Sequence, residues 1–290
     1  MTRTPASGGD GRISGYGLGT ANAILSVDEI AAAADELGTG PERERLSELA
    51  GGEPIVAIDD LVAGYGKMEI LHGFSLRVGA GQSLCMIGPN GAGKSTVLHS
   101  IYGFTRITSG TIVVSGQCVT RSTPNEKLKS AGVAYILQDS SIFPDMTVEE
   151  NLLLGGFLKK RPSEAKQAAE RIFDKYQSLA KRRGQRAGVL SGGERRLLEI
   201  SRALIMNPSV LLVDEPSIGL EPRFIDMVFD ILHGLQHDEG KTIIMVEQNA
   251  KKGLQFADIG YVLVSGRLAL AGSGSEMLEN PEVGRLFLGG

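Results

Sequence analysis

The run Gly88-Pro89-Asn90-Gly91-Ala92-Gly93-Lys94-Ser95-Thr96 follows the apolar segment Ser83–Ile87 and opens a helical stretch from Thr96 to Tyr102. Strand, glycine-rich turn and helix in that order make a phosphate-binding loop. The glycines let backbone N–H groups close around phosphate oxygens, where a Cβ would obstruct the approach. Lys94 reaches the β- and γ-phosphates, the Ser95 hydroxyl is a ligand for Mg²⁺, and the helix N-terminus adds partial positive charge. Farther along, Val210-Leu211-Leu212-Val213-Asp214-Glu215-Pro216 is an apolar run ending in two carboxylates. A buried strand delivers such groups to the C-terminal edge of an open α/β sheet, where ligands of these sheets sit. Asp214 would hold Mg²⁺ there, directly or through water, and Glu215 would take a proton from an attacking water. A third group, Leu190-Ser191-Gly192-Gly193-Glu194, starts a helix that runs to about Met206. Ser191 can cap that helix. Two glycines after a cap lower helix propensity with no local gain, so their N–H groups are expected to meet an anion.

These residues need a scaffold, and from Ile55 onward the chain alternates short β-branched runs with helical periods, the mark of an α/β domain. Strands are expected at Ile55–Ile58, Phe74–Val78, Ser83–Ile87, Thr111–Val114, Val133–Leu137, Val210–Val213, Thr242–Val246, Tyr261–Val264 and Leu268–Ala271. Between Thr147 and Met206 the pattern is helical throughout. Thr147-Val148-Glu149-Glu150 is a capping box, and Ser163 to Ala180 reads as one amphipathic helix with Ile172, Phe173, Tyr176 and Leu179 on its apolar face. A helical subdomain, about residues 139–206, is therefore inserted into the α/β body.

Residues 1–54 read differently. Ten of the chain's 39 glycines lie there, strand signals are missing, and one short helix is expected, opened by Ser26-Val27-Asp28-Glu29 and carried through Ile30 to Leu37. The segment reads as a flexible tail preceding a domain at 55–290. Gly15-Tyr16-Gly17-Leu18-Gly19 has no strand before it and no helix after it, so low complexity accounts for it better than a nucleotide loop.

Composition sets the outer bounds. With 290 residues and 42% hydrophobic content, the chain can build a full core. A net charge of -4 offers no basic field for a nucleic-acid backbone, so no nucleic-acid partner is expected. Two cysteines, Cys85 and Cys118, make no disulfide framework and suggest a reducing compartment. No apolar run approaches the roughly 18–20 residues of a membrane span, and the first residues lack the apolar stretch of a secretion signal, so a soluble chain is expected. His233 and His237 share a helix face, but no third metal ligand is evident. Cys85 lies inside a strand and reads as a small buried hydrophobe.

Taken together, the phosphate loop, the LSGGE segment and the acidic strand end resemble the ATP-binding cassette (ABC) ATPases in order and spacing, over about Ile55 to Gly290. The resemblance implies a P-loop nucleotide-binding domain with an N-terminal antiparallel β subdomain and the inserted helical subdomain. It assigns ATP to Tyr65 and to Gly88 through Thr96, with Tyr65 in Gly64-Tyr65-Gly66 stacking on adenine. Gln138 resembles the Q-loop glutamine that senses Mg²⁺ and the attacking water, beside Ser95 and Asp214. Ser191, Gly192, Gly193 and Glu194 resemble the signature that closes on ATP held by a second subunit. Ser217-Ile218-Gly219-Leu220-Glu221-Pro222 resembles the D-loop, with Glu221 where many relatives carry Asp. Most relatives have a switch histidine after the next strand, whereas this chain reads Val246-Glu247-Gln248-Asn249-Ala250. Gln248 can donate a hydrogen bond to a γ-phosphate but cannot become cationic, so it orients, and Glu215 is expected to carry the larger catalytic share.

The same resemblance implies a homodimer or a heterodimer with a second cassette, transmembrane permease subunits, and an indirect link to a periplasmic or extracellular solute-binding protein. It implies a peripheral place on the cytoplasmic face of the inner membrane, with permease contact through a groove near Ser140–Asp145. The VEQNA form is similar to the LivF-type ATPases of branched-chain amino-acid importers and their amide or urea relatives. Two other readings stay open, an exporter subunit and a non-transport ATPase switch.

Overall fold

A computed structural model of the chain describes residues 40–138 and 141–288. The expected helix at Ser26–Leu37 and the Gly15–Gly19 run lie outside the described residues. Two sheets form the body. Strands β1 (Val56–Tyr65), β2 (Met68–Val78), β4 (Arg106–Val114) and β5 (Gln117–Cys118) make an antiparallel sheet in the order β2-β1-β4-β5. The second sheet runs β10-β9-β3-β8-β7-β6, from β3 (Ser83–Ile87), β6 (Val133–Ile136), β7 (Val210–Asp214), β8 (Thr242–Val246), β9 (Ile259–Val264) and β10 (Arg267–Ser273). Strands β9, β3, β8, β7 and β6 pair parallel, and β10 joins the edge antiparallel.

All five residues of β3, β7 and β8 are buried, which explains why each reads as an unbroken apolar run rather than an alternating one. Successive side chains still point to opposite faces. Leu84, Met86, Leu212 and Ile244 join the antiparallel sheet in one core, whereas Cys85, Ile87, Leu211, Val213 and Met245 pack with the helices on the other face.

The first hairpin is longer than the expected Ile55–Ile58 and Phe74–Val78. Register shifts between Ile58 and Leu61 break the alternation there, and Asp60 takes a positive φ of 45° at the irregularity. The hairpin turns at Tyr65-Gly66-Lys67-Met68, which puts Tyr65 at its tip.

A third core holds the helical subdomain, built from α4 (Val148–Gly155), α5 (Pro162–Lys175), α6 (Gln177–Ala180) and α7 (Gly192–Leu204); they follow α1 (Arg43–Leu49), α2 (Lys94–Tyr102) and α3 (Pro124–Lys129) in the chain. Thr147 and Glu150 form the expected capping box. The single helix expected over Ser163–Ala180 is instead broken at Tyr176, whose φ and ψ are -116° and 83°. The Gln177 amide donates to the carbonyls of Phe173 and Asp174, satisfying groups that a continuing helix would have used.

The N-terminal boundary also moves. Helix α1 lies within the expected tail, yet Leu46 is 1% exposed in the same core as the antiparallel sheet. Arg45 pairs with Glu276 at 2.8 Å, and the Gln82 amide donates to the Leu49 carbonyl at 3.0 Å. Residues 43–49 therefore belong to the folded body. Leu46, Leu49 and Ala50 fall at i, i+3 and i+4, the helical period, but the run covers little more than one turn and is too short for that period to stand out. After β7 come α8 (Pro222–His237), α9 (Ala250–Phe256), α10 (Gly274–Glu279) and α11 (Pro281–Val283).

Candidate functional site

Every expected catalytic group sits just past the C-terminal end of a parallel strand: the phosphate loop after β3, Gln138 after β6, Glu215 after β7 and Gln248 after β8. Parallel pairing aligns those ends, so residues far apart in sequence converge on one edge. The phosphate loop needs its glycines for measurable reasons. Gly88 has φ 149°, and a Cβ there would lie 2.1 Å from the Leu263 carbonyl oxygen; Gly93, at the N-cap of α2, has φ 98°.

Lys94 is buried, and its ammonium donates to the carbonyls of Gly88 and Pro89 at 2.9 and 3.0 Å. Burial lowers its pKa, while the charges of Glu215 and Asp214 act in the opposite sense. The Ser95 hydroxyl donates to Asp214 Oδ1 at 3.0 Å, and the Tyr135 hydroxyl donates to Oδ2 at 2.7 Å. Burial beside that carboxylate pushes the Tyr135 phenol pKa up, so it remains a donor. Gln138 Nε2 donates to Glu215 Oε2 at 2.9 Å. Burial raises the Glu215 pKa, and the neighbouring Asp214 charge raises it further, which strengthens Glu215 as a proton acceptor. Glu215 has φ 42°, a left-handed conformation rare for a side chain of this size, and its N–H is tied to the Val246 carbonyl at 2.9 Å.

Tyr65, Asn90, Gly91, Gly93, Lys94, Ser95, Thr96 and Glu215 line one cleft of about 270 Å³. The Tyr65 hydroxyl is hydrogen-bonded to His99 Nδ1, and the His99 ring makes edge contacts with Tyr65 and Tyr135 at centroid distances of 5.9 and 5.7 Å. Burial lowers the His99 pKa, against the raising effect of the Asp214 charge. His99 and Tyr135 carried no motif signal, because a lone histidine on a helix and a tyrosine in a strand look like ordinary packing.

Ser191, Gly192, Gly193 and Glu194 do not line this cleft, and neither does Gln248, which is exposed at the end of β8. Ser191 caps α7 and forms a capping box with Glu194, whose carboxylate also accepts from Arg182 at 2.6 Å. The expectation that both signature glycines lack a local structural role fails at Gly193. A Cβ there would lie 2.2 Å from the Phe224 ring, whereas at Gly192 it would meet nothing closer than 3.7 Å. Any side chain at Gly193 would therefore have to displace the Phe224 ring, whereas one at Gly192 would not.

Among the described residues no group of three or more His, Cys, Asp or Glu is disposed to hold a metal, and the His233 and His237 rings lie with centroids 4.1 Å apart, tilted by 52°. The Ser95 hydroxyl and the Asp214 carboxylate, already in contact, are oxygen donors of the kind Mg²⁺ takes when phosphates and water supply the rest. Cys85 is buried, and burial pushes its thiol pKa up, consistent with a packing role.

A phosphate cradle at a helix start, backed by a hydroxyl–carboxylate pair and a carboxylate poised as a base, defines the chain as a P-loop nucleotide-hydrolysing domain. The family model described as ABC transporter matches residues 71–218. The chain is 38% identical over 236 residues to the high-affinity branched-chain amino acid transport ATP-binding protein BraG of Pseudomonas aeruginosa, covering 81% of this chain and 100% of that protein. It is 36% identical over 229 residues to the probable branched-chain amino acid transport ATP-binding protein LivF of Archaeoglobus fulgidus, covering 79% and 96%. A crystal structure of a nucleotide-free ATP-binding cassette from an ABC transporter superposes with a TM-score of 0.72 at 28% identity, covering 81% of this chain and 98% of that one. The chain belongs to the ABC transporter family and is an ATPase of its ATP-binding cassette type.

Proposed function

We propose that this chain is the energy-coupling ATPase subunit of an importer for branched-chain or other amino acids. The observation that carries the reading is the joining of Gln138 to Glu215 at 2.9 Å, because it ties the catalytic carboxylate to the segment that enters the helical subdomain. The substrate class follows from the likeness to BraG and LivF, both of them branched-chain amino acid transport ATP-binding proteins.

In this reading the backbone N–H groups of Gly91 through Ser95 and the Lys94 ammonium bind the ATP phosphates, and Tyr65 stacks on adenine. Ser95 and Asp214, together with Gln138, would hold Mg²⁺. When bound, that ion would neutralise negative charge on the phosphates. Glu215 takes a proton from the water that attacks the γ-phosphorus, the bond to the β–γ bridging oxygen breaks, and ADP and phosphate leave. Gln248 orients the γ-phosphate through its amide. Ser191 to Glu194 act on the nucleotide of a second cassette, a copy or a paralogue, which accounts for their position outside the chain's own cleft.

No described helix is long and apolar enough to cross a membrane; in this reading, by likeness to the transport ATP-binding proteins, the work passes to permease subunits. The contact surface in this reading is a groove of about 600 Å³ between the α/β body and the helical subdomain, lined by Tyr102, Leu137, Phe143, Leu154, Phe157 and Arg202. Phe143 and Phe157 are 50% and 64% exposed there. The chain then lies peripherally on the cytoplasmic face of the membrane, and a solute-binding protein reaches it only through the permease.

The test is reconstitution of the chain with its permease and second cassette in vesicles. ATPase stimulated by a solute-binding protein loaded with leucine, isoleucine or valine supports the reading. Stimulation by urea or short amides alone reassigns the substrate, and failure of every solute to stimulate removes the importer assignment.

A further inference from the structure

Within Val246-Glu247-Gln248-Asn249-Ala250 the sequence assigns Glu247 no role of its own, yet it is among the most buried charged groups, at 1% exposure. Its Oε1 accepts the Ser217 N–H at 3.0 Å, and its Oε2 accepts the Asn249 N–H at 2.9 Å. Ser217 is the second residue of the loop 216–221 that follows Glu215, and Asn249 follows Gln248 and caps α9 through its side chain. The Glu247 N–H donates to the Met86 carbonyl at 3.3 Å, next to the strand end that leads into the phosphate loop. One residue thus joins the ends of β3, β7 and β8. Its surroundings are tight, since a Cβ on Gly253 would come within 3.0 Å of Glu247 Cβ and 2.6 Å of Cys85 Sγ.

No described cation forms an ion pair with this carboxylate. A buried charge held by only two amides costs stability relative to a neutral residue of the same size. Two charge-assisted contacts to two different loops offset part of that cost and fix the separation of those loops.

We infer that Glu247 is a positioning residue that locks the loop carrying Gln248 to the loop 216–221, so that displacement of the second loop moves the first. The inference rests on the reading of Gln248 as the γ-phosphate switch. Loop 216–221 exposes Ile218 at 42%, on a surface free to meet a facing subunit. A rigid carboxylate bridge would carry such a contact to the amide of Gln248 without passing through the nucleotide.

The experiment measures steady-state ATPase kinetics and thermal melts of the full chain for Glu247→Ala, Glu247→Gln, Gln248→Ala and the double variant Glu247→Ala/Gln248→Ala. Glu247→Ala is expected to lower kcat about 10- to 100-fold, the scale of a small misplacement of a reacting group, with KM for ATP held within about twofold. The double variant is expected to be no slower than Gln248→Ala, because both changes remove one function. Glu247→Gln keeps one acceptor and should fall between wild type and Glu247→Ala; it carries the test if the alanine variant does not fold. Multiplying losses in the double variant, or kcat losses that track the folded fraction, would overturn the inference. An impaired Gln248→Ala beside an unaffected Glu247→Ala rejects the role of Glu247 alone. The opposite pattern rejects the switch reading of Gln248 and this inference with it.

Discussion

Gln138 Nε2 and Glu215 Oε2 lie 2.9 Å apart, which joins the last described residue before the helical subdomain to the carboxylate at the end of β7. The contact does two things. It fixes one oxygen of a carboxylate that lines the cleft with Lys94 and Ser95. In the proposed reading, with Glu215 as the base, it would also let a shift of Gln138 act on that base directly.

Glu215→Gln should therefore lower kcat by about 10²–10⁴-fold while leaving ATP binding intact, since the amide keeps the shape and loses only proton acceptance. Gln248→Ala should cost less, because an orienting amide supplies no charge. Steady-state ATPase and nucleotide-binding assays on the two variants check this. A smaller loss at Glu215 than at Gln248 reverses the assignment.

Leu46→Ala should destabilise the protein by about 2–5 kcal/mol, the usual cost of emptying a fully buried leucine site. Leu46 is 1% exposed in the core beneath the antiparallel sheet, so the effect should appear in chemical denaturation as a lower midpoint. An unchanged midpoint would return α1 to the status of a dispensable tail. The same reasoning sets where a truncation can begin, namely before Arg43 and not at Ile55.

The parallel strands and the phosphate loop were legible in the sequence because each solves a local problem: a doubly buried strand must be apolar throughout, and a phosphate cradle must be glycine-rich. Strands Ser83–Ile87 and Thr242–Val246 match their expected bounds for that reason. The hairpin of β1 and β2 was read short because its bulges near Asp60 scramble the alternation that marks a strand. Helix α1 is not legible because its apolar positions, Leu46 and Leu49, keep the helical spacing for a single turn only. Tyr135, His99 and Glu247 were invisible for a different reason. Their roles depend on pairing across β6, β7 and β8 and on the packing of α2, and no short window of sequence contains those neighbours.

Gly193→Ala tests whether the second signature glycine serves packing. A methyl group there would press on the Phe224 ring, and such overpacking costs about 1–3 kcal/mol. Gly192→Ala makes only an ordinary contact with Leu220 at 3.7 Å and should leave stability nearly unchanged while impairing ATPase, if its N–H faces a nucleotide on the second subunit. Adding Phe224→Leu to Gly193→Ala should restore part of the lost stability. Equal melting temperatures for the two alanine variants would remove the distinction between the glycines.

Lys127 makes the pH dependence specific. Its side chain is fully buried, its ammonium donates to the Ser100 carbonyl at 3.2 Å near the C-terminus of α2, and burial holds its pKa down to about 8. Below that pH both folded and unfolded chains carry the proton, so the cost of burying the charge is fully present and constant. Between about pH 8 and the unfolded value near 10.4, the folded chain gives up the proton that the unfolded chain keeps. Unfolding then takes up a proton, and stability rises with pH, by no more than about 3 kcal/mol over that window. Lys127→Met, of similar length and uncharged, should melt higher than wild type at pH 7. The gap should close as pH approaches 10, where the neutral amine no longer bears the burial cost and still bonds to Ser100. Because every other titrating group is shared by the two proteins, the difference between their melting curves isolates this one. A gap that stays constant from pH 7 to 10 would mean that Lys127 remains charged in the folded protein across the whole range.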